Sequence, residues 1–169
     1  MICKIAFGGG CHWCTEAVFQ SLIGVENVAQ GWIQSTEEND TFSEAVIVQF
    51  DATLIPLKVL IEIHLRTHKS TVQHSMRTKY RSAIYYFDSI QKETIEEILT
   101  NLQKSFTKKI ITQVLPFNGF KPSREAITNY YYSNPSKPFC EQFINPKLKL
   151  LLTKFSQFTV KEKLDHLDF

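Results

Sequence analysis

The sequence predicts an α+β fold: a mixed β-sheet with flanking helices, a ferredoxin-like two-layer core and an extended C-terminal segment. Apolar runs of strand length and longer helical patterns are interspersed without the strict alternation of a doubly wound sheet. From Pro116 onward the chain is rich in prolines and loops. The 169 residues are enough for one domain, which we expect to span 1–158, with a C-terminal tail over 159–169.

The first part of the chain alternates apolar runs with glycine stops. The run over 2–7 ends at three glycines and predicts a buried strand. Apolar residues at helical spacing then predict a helix that begins near Cys11 and stops at Gly24. Strands are predicted over 25–33 and over 44–50, where Val46, Val48 and Phe50 would share one face.

The second part begins with a helix at Pro56, because proline suits a first helical position. One apolar face of this helix includes His64 and His68. A strand is predicted over 82–87, and Ser89 is expected to cap a helix with acidic first turns. The remaining predictions are a polar loop over 69–79, a strand over 110–115, a short helix near 123–132 and a last helix over 146–158.

Composition excludes several classes of partner. The net charge of +2 is mild and the lysines are scattered, so we expect neither a nucleic-acid nor a membrane partner. The N-terminus lacks a leader pattern, and no stretch approaches the ~18 apolar residues of a membrane span. Four cysteines are too few for a disulfide framework. We expect a cytoplasmic monomer with reduced thiols and no cofactor.

The stretch over 7–14, FGGGCHWC, contains the predicted reactive cysteine. A cysteine at a helix N-terminus feels unpaired amides and the positive end of the dipole, which lower its pKa. Cys11 is placed for this effect and is the predicted nucleophile, whereas Cys14 lies a turn inside the helix. Cys3 is expected to be a core residue of the first strand.

Four interpretations of the two thiols are open at this point. Two buried, inert thiols are the simplest. A zinc site lacks a second Cys-x-x-Cys, and Leu65 breaks the metalloprotease pattern around His64 and His68, which suit the core better. The last two are a thioredoxin-like dithiol and an enzyme that reduces its substrate with Cys11. A thioredoxin needs a cis-proline before a strand, but Pro56 opens a helix.

Longer stretches resemble a known family. FGGGCHWCTEAVFQSLIGVENVAQGW, over 7–32, is similar to the peptide methionine sulfoxide reductase A family, in which a strand leads through Gly-Gly-Cys-Phe-Trp into a helix. Further similar stretches follow in the family's order: SEAVIVQFD, KVLIEIHLRTH, TKYRSAIYY and NPSKPFC. The resemblance covers roughly 5–150 and implies an α+β fold. It also implies reduction of methionine-S-sulfoxide, free or in proteins, with regeneration by thioredoxin or a similar dithiol.

The resemblance also assigns roles to single residues. Cys11 matches the nucleophile and Trp13 the tryptophan that packs the substrate's S-methyl group. Glu44 matches the acid that protonates the sulfoxide oxygen, Tyr80 a tyrosine that hydrogen-bonds it, and Cys140 the resolving cysteine. The chemistry agrees, because a glutamic acid in a mostly apolar pocket can stay protonated and turn the oxygen into a leaving group.

Several positions depart from the family pattern. His12 stands where the family has phenylalanine, and Trp32 where it has a second oxygen-binding tyrosine. Ser75 replaces an aspartate, while Arg77 and Lys79 replace Gly and Gln, which makes the pocket rim more basic. These departures leave open a rival function, a protein that binds oxidised or hydrophobic peptides without efficient turnover.

Two cysteines are candidates for the thiol that resolves the sulfenic acid. Cys140 has the family's position, on a proline-rich segment expected to be mobile, and is predicted to resolve first. Cys14 is nearer in sequence, because a Cys-x-x-Cys pair at a helix start can form a disulfide. It is expected to act as a relay or a substitute.

The imidazole of His12 predicts a pH-dependent affinity for the sulfoxide. Its charge is expected to change near the ordinary histidine pKa of ~6.5. The KM for methionine sulfoxide, measured between about pH 5.5 and 8, tests this expectation, and a flat profile would contradict it.

Overall fold

A six-stranded mixed sheet forms the centre of the computed structural model, which describes residues 1–167. The strands are β1 (Ile2–Gly8), β2 (Val25–Gln34), β3 (Ser43–Asp51), β4 (Ala83–Tyr86), β5 (Gln113–Pro116) and β6 (Gly119–Pro122). Their spatial order is β5-β4-β1-β3-β2-β6. The β4–β5 pair is parallel and the other four pairs are antiparallel. The predicted mixed sheet is therefore confirmed.

Five α-helices accompany the sheet within the described residues. They are α1 (His12–Gln20), α2 (Leu57–Arg66), α3 (Ser89–Leu102), α4 (Tyr130–Ser133) and α5 (Asn145–Lys154). A π-helical turn, Cys140–Ile144, leads directly into α5. Across residues 1–167, none of the helices combines the length and the hydropathy that a bilayer crossing requires.

The helices pack against one face of the sheet. Side chains of a strand alternate between the two faces, and in β1 Ile5 and Phe7 belong to the large cluster that contains the buried residues of the helices. Ala6 belongs to a smaller cluster with Tyr85, covered by aromatic side chains of loops and edge strands. The core thus lies mainly between one face of the sheet and the helices, which is the predicted two-layer arrangement.

The edges of the sheet differ from the sequence-based prediction. β6 was expected to be loop, because a four-residue strand bounded by Gly119 and Pro122 carries little strand signal. It pairs with β2 at the sheet edge, where a proline is tolerated. β5 begins three residues later than predicted, at Gln113.

The helix boundaries also need correction. Asp88, not Ser89, is the N-cap of α3, and its carboxylate accepts the Gln91 amide at 2.8 Å. The first turn of α3 has no acidic residue, because its glutamates lie further along. The helix predicted near 123–132 is shorter and later, and α5 ends at Lys154 rather than at 158.

The segment after α5 packs against the core. Thr159 forms an isolated antiparallel bridge with Leu22, and the amide of Ile23 donates to the carbonyl of Phe158 at 2.7 Å. Leu164 is buried, and the His166 ring contacts the hydroxyl of Tyr131 at 2.6 Å. Residues 159–167 of the predicted tail are therefore held by the fold, and 168–169 lie outside the described residues.

Gly31 provides a test of the β2–β6 pairing. A Cβ at this position would overlap the carbonyl oxygen of Lys121 and the ring of Phe120. We expect Gly31→Ala to lower the free energy of unfolding by about 1–3 kcal/mol, the usual cost of overpacking. Chemical denaturation measures it. The matched control is Gly10→Ala, since a Cβ there meets nothing within 4 Å; equal losses in the two variants would contradict the pairing.

Candidate active site

The turn between β1 and α1 is held by side chains from two other segments. The carbonyl of Gly8 accepts Nε2–H of His64 at 2.8 Å, and that of Gly9 accepts the Arg77 guanidinium at 3.0 Å. Burial lowers the pKa of His64 to about 4, so the imidazole is neutral at ordinary pH. His68 packs against this turn so closely that a Cβ on Gly9 would overlap its ring. The two histidines shape the turn from within the fold.

Cys11 is the N-cap residue of α1, and the amides of Cys14 and Thr15 bond to its carbonyl at 3.1 and 3.2 Å. The pKa of the Cys11 thiol is lowered, first by the thiol of Cys14 as hydrogen-bond donor and then by the amides of Trp13 and Cys14, against the opposing effect of burial. The pKa of Cys14 is raised by the same hydrogen bond and by burial. Cys11 therefore has the properties of a nucleophile, and Cys14 those of a proton-bearing partner.

Glu44 joins β3 to the start of α1. Its Oε1 accepts the main-chain N–H of His12 at 3.1 Å and lies 3.5 Å from Nε2 of the same residue. Its Oε2 lies 3.8 Å from Nζ of Lys79. The Glu44 side chain is 9% exposed. Its surroundings are thus buried but polar, which corrects the mostly apolar pocket expected from the sequence.

Trp32 is a β2 neighbour of Glu44, and Tyr80 neighbours the lysine that faces Glu44. Trp32 is the β2 residue directly opposite Glu44, and its ring meets the His12 ring edge-on at 5.0 Å. The ring of Tyr80 lies 5.1 Å from Nζ of Lys79, and the Tyr80 hydroxyl is the main cause of a raised Lys79 pKa, with Glu44 adding to it. Lys79 therefore connects the hydroxyl with the carboxyl.

Trp13 belongs to an aromatic group on the other side of Cys11. Its ring stacks on Tyr130, with centroids 4.0 Å apart, and Phe139 packs edge-on at 5.4 Å. Glu16, buried in α1, accepts the amides of Asn129 and Tyr130 at 2.9 and 3.2 Å and so fixes the stacked ring. Sequence reasoning missed Tyr130, Phe139 and Glu16; the tyrosine run before NPSKPFC was the available signal.

A comparison with known proteins identifies the chain's family. Residues 3–159 match the family model described as peptide methionine sulfoxide reductase. The chain belongs to this family. A relative in Pasteurella multocida, peptide methionine sulfoxide reductase MsrA, is 36% identical over 165 residues, which cover 89% of this chain and 95% of the relative. The match confirms the predicted class of enzyme, a thiol-dependent methionine sulfoxide reductase.

Solved structures show the same fold. Mxr1 from Saccharomyces cerevisiae in reduced form has a TM-score of 0.69 at 20% identity, covering 82% of this chain and 89% of Mxr1. Mxr1 in complex with Trx2 has a TM-score of 0.58 at 19% identity, covering 73% of this chain and 82% of that one. At these identities the likeness concerns the fold, and it confirms the predicted α+β architecture.

In this reductase the loop over 69–79 is organised differently from the expectation. Arg77 is buried and donates to the carbonyls of Gly9, Val72, Tyr80 and Lys69, so it holds the loop rather than the pocket rim. Ser75 is exposed, and its hydroxyl makes no hydrogen bond to any described residue. The structure does not bring Ser75 into contact with the side chains around Cys11. The basic rim is supplied by Lys79.

Cys140 lies in the core rather than on a mobile segment. It is fully buried in the π-helical turn, and its thiol donates to the carbonyl of Asn134 at 3.7 Å. Burial raises its pKa. The prolines before Cys140 gave no sign of this burial, to which Ile144 and Leu148 contribute in the core.

Lys147 is a charged residue that sequence reasoning missed. It lies in α5 and donates to the carbonyl of Thr67. With Cys11, Cys14, His64 and others it lines a cavity of about 40 Å³ behind the turn. Burial lowers its pKa, while Cys14 and Cys11 raise it, so the ammonium and the thiols interact favourably. No local pattern marks Lys147, because its position depends on how α5 packs.

Removing this charge should raise the pKa of the thiols. For Lys147→Met we expect the midpoint of thiolate absorbance near 240 nm to rise by roughly one pH unit, the scale of a nearby opposite charge. Lys149→Met, two residues along α5, is the matched control. An unchanged midpoint in Lys147→Met would show that the ammonium does not act on the thiols.

Proposed function

We propose that this enzyme reduces methionine-S-sulfoxide, free or within a polypeptide, with Cys11 as the attacking sulfur and Glu44 as the acid. The observation that carries the proposal is the joint position of the two groups. Cys11 has a lowered pKa at the start of α1, and Glu44 is bonded to the amide of the next residue. A nucleophile and an acid are thereby held at the same helix terminus.

The reaction follows from these positions. The Cys11 thiolate attacks the sulfoxide sulfur while a proton reaches the sulfoxide oxygen. This attack forms a bond between the two sulfurs. The sulfur–oxygen bond of the substrate then breaks, the oxygen passes to the Cys11 sulfur, and the bond between the sulfurs breaks as methionine leaves, so that Cys11 is left as a sulfenic acid. The two electrons that reduce the substrate come from the cysteine sulfur.

Aromatic side chains contact the S-methyl group of the substrate, and hydrogen-bond donors contact its oxygen. Trp13, stacked on Tyr130 and closed by Phe139, presents an apolar surface suited to the S-methyl group. Tyr80, beside Lys79, can donate a hydrogen bond to the oxygen. Trp32, whose indole can donate but not accept, stands beside His12. The proposal leaves Ser75 outside this set.

Resolution of the sulfenic acid begins at Cys14. The Cys14 thiol is the first cause of the lowered Cys11 pKa and lies within one turn of Cys11 in α1, whereas Cys140 is fully buried in the π-helical turn. Attack by the Cys14 sulfur releases water and forms a Cys11–Cys14 disulfide. We propose that exchange then passes the disulfide on to Cys140, which packs in the same core cluster as Cys14. Cys140 is then the relay, the reverse of the order that the family position suggests.

A dithiol protein such as thioredoxin closes the cycle. Its two thiols reduce the protein disulfide and become a disulfide themselves. The fold is shared with Mxr1, which has been crystallised with Trx2. A cycle that returns to free thiols suits a reducing compartment such as the cytoplasm. We expect the enzyme to act as a monomer, which light scattering coupled to size exclusion tests.

A thioredoxin-like activity is the second candidate. Cys11 and Cys14 stand at the N-cap and third position of α1, the placement of a redox-active Cys-x-x-Cys pair. Pro56, however, is the N-cap of α2 and opens a helix, as the sequence predicts. The disulfide exchange of this pair is therefore expected to serve the enzyme's own turnover.

One assay separates the candidates. With dithiothreitol as reductant we expect consumption of the S epimer of methionine sulfoxide and not of the R epimer, and no activity in Cys11→Ser. Reduction of insulin disulfide without sulfoxide turnover would support the thioredoxin-like activity. Inactivity on both substrates, with saturable binding of oxidised peptide, would support a binding protein.

Disulfide mapping tests the order of the thiols. After one turnover without reductant, Cys140→Ser should contain a Cys11–Cys14 disulfide, while Cys14→Ser should accumulate sulfenic acid on Cys11 that dimedone traps. Peptide mapping by mass spectrometry distinguishes the two products. Rapid formation of a Cys11–Cys140 disulfide in Cys14→Ser, at the wild-type rate, would restore Cys140 as the first resolving residue.

A further inference from the structure

We propose that His12 and Glu44 act as a single acid, sharing one proton between Nε2 and Oε1 and delivering it to the substrate oxygen. This inference rests on the proposed function and deepens it. His12 is the residue of the stretch over 7–14 that the family pattern does not explain, since phenylalanine stands there in the family. The structure places its ring between the start of α1, β2 and β3.

The tautomer of His12 follows from its contact with β2. Nδ1 lies 2.8 Å from the carbonyl oxygen of Gly31. A carbonyl oxygen can only accept, so Nδ1 must carry a hydrogen. In the neutral imidazole Nε2 is then bare and is an acceptor. This bare nitrogen is the atom that faces Oε1 of Glu44, at 3.5 Å.

Two bare acceptors facing each other at this distance repel, and one proton between them removes the repulsion. If it is on Glu44, the carboxylic acid faces the nitrogen; if it is on His12, an imidazolium faces a carboxylate. The side chains are 5% and 9% exposed, so bulk water competes little for this proton. The shared proton is therefore held in the site until a substrate oxygen takes it.

The neighbouring charges are compatible with one shared proton. Lys79, from the loop before β4, lies 3.8 Å from Oε2, the oxygen that does not face the imidazole. Trp32, from β2, packs edge-on against the His12 ring and brings no charge. At the N-cap of α1 the adjacent charged group is the Cys11 thiolate, which attacks while the substrate oxygen takes the proton: thiolate, sulfoxide and one proton give sulfenic acid and methionine.

A pair of this kind extends the pH range of the reaction. An unassisted carboxyl group loses its proton at a lower pH than an imidazole does. With His12 present the proton stays in the site to higher pH, because either partner can hold it. With the family's phenylalanine, Glu44 would have to hold it alone.

The experiment compares wild type with His12→Asn under single-turnover conditions. The asparagine amide can donate to the Gly31 carbonyl as Nδ1 does, but it has no titratable nitrogen toward Glu44. We expect the two rates of methionine-S-sulfoxide reduction to agree within about threefold at pH 5.5 and to differ by at least about tenfold at pH 7.5, a typical loss of acid catalysis. A constant ratio across this range would overturn the shared proton and indicate a structural effect.

A double mutant separates this inference from the proposed function. In the Glu44→Gln background, His12→Asn should cause no further pH-dependent loss, because the pair is already broken. Independent effects of the two substitutions would also overturn the inference. If wild type itself fails to reduce the S epimer, the proposed function fails; if wild type is active and the profiles are parallel, only the shared proton fails.

Discussion

The contact between the Glu44 carboxyl group and the amide of His12 is the interaction on which the site depends. It joins the middle of the sheet, at β3, to the first residue of α1. The first amides of a helix have no partner within the helix, and here a buried carboxyl oxygen accepts one of them. The same contact fixes how far the acid lies from Cys11, the residue before His12. This one hydrogen bond therefore connects the sheet to α1 and positions Glu44 relative to Cys11.

The rest of the turn is built to keep this geometry. Neutral His64 and charged Arg77 take the carbonyls of Gly8 and Gly9, and Gly9 leaves no room for a side chain because His68 packs there. Behind the turn Lys147 supplies positive charge to the thiol pair. The nucleophile therefore sits between an acid on one side and a cation on the other.

Local patterns predict the parts of the site that are local. The glycine run and helical spacing predict Cys11 at the start of α1, and apolar runs predict the central strands. Glu44 was singled out by the family resemblance, because a glutamate in a strand is usually exposed. The polar character of its surroundings could not be predicted, since Lys79 reaches it from a separate loop.

Long-range packing decides the parts that the sequence does not reveal. Lys147 and Glu16 become functional neighbours through contacts of α5 and of 129–130, which are far from Cys11 along the chain. β6 is a short strand that is held by its antiparallel pairing with β2 at the edge of the sheet. Prolines near Cys140 suggested a mobile segment, but the apolar residues after it bury the turn. In each case the deciding partner is distant in sequence.

The order in which the thiols are alkylated directly tests whether Cys11 is more reactive than Cys14 and Cys140. Reduced wild-type protein would be treated with a limiting amount of iodoacetamide near neutral pH, and the modified cysteines identified by peptide mass spectrometry over time. We expect Cys11 to be alkylated first, because its pKa is lowered, and Cys14 and Cys140 to follow only much later, because their pKa values are raised. Alkylation of Cys14 before Cys11, or of both at equal rates, would contradict it.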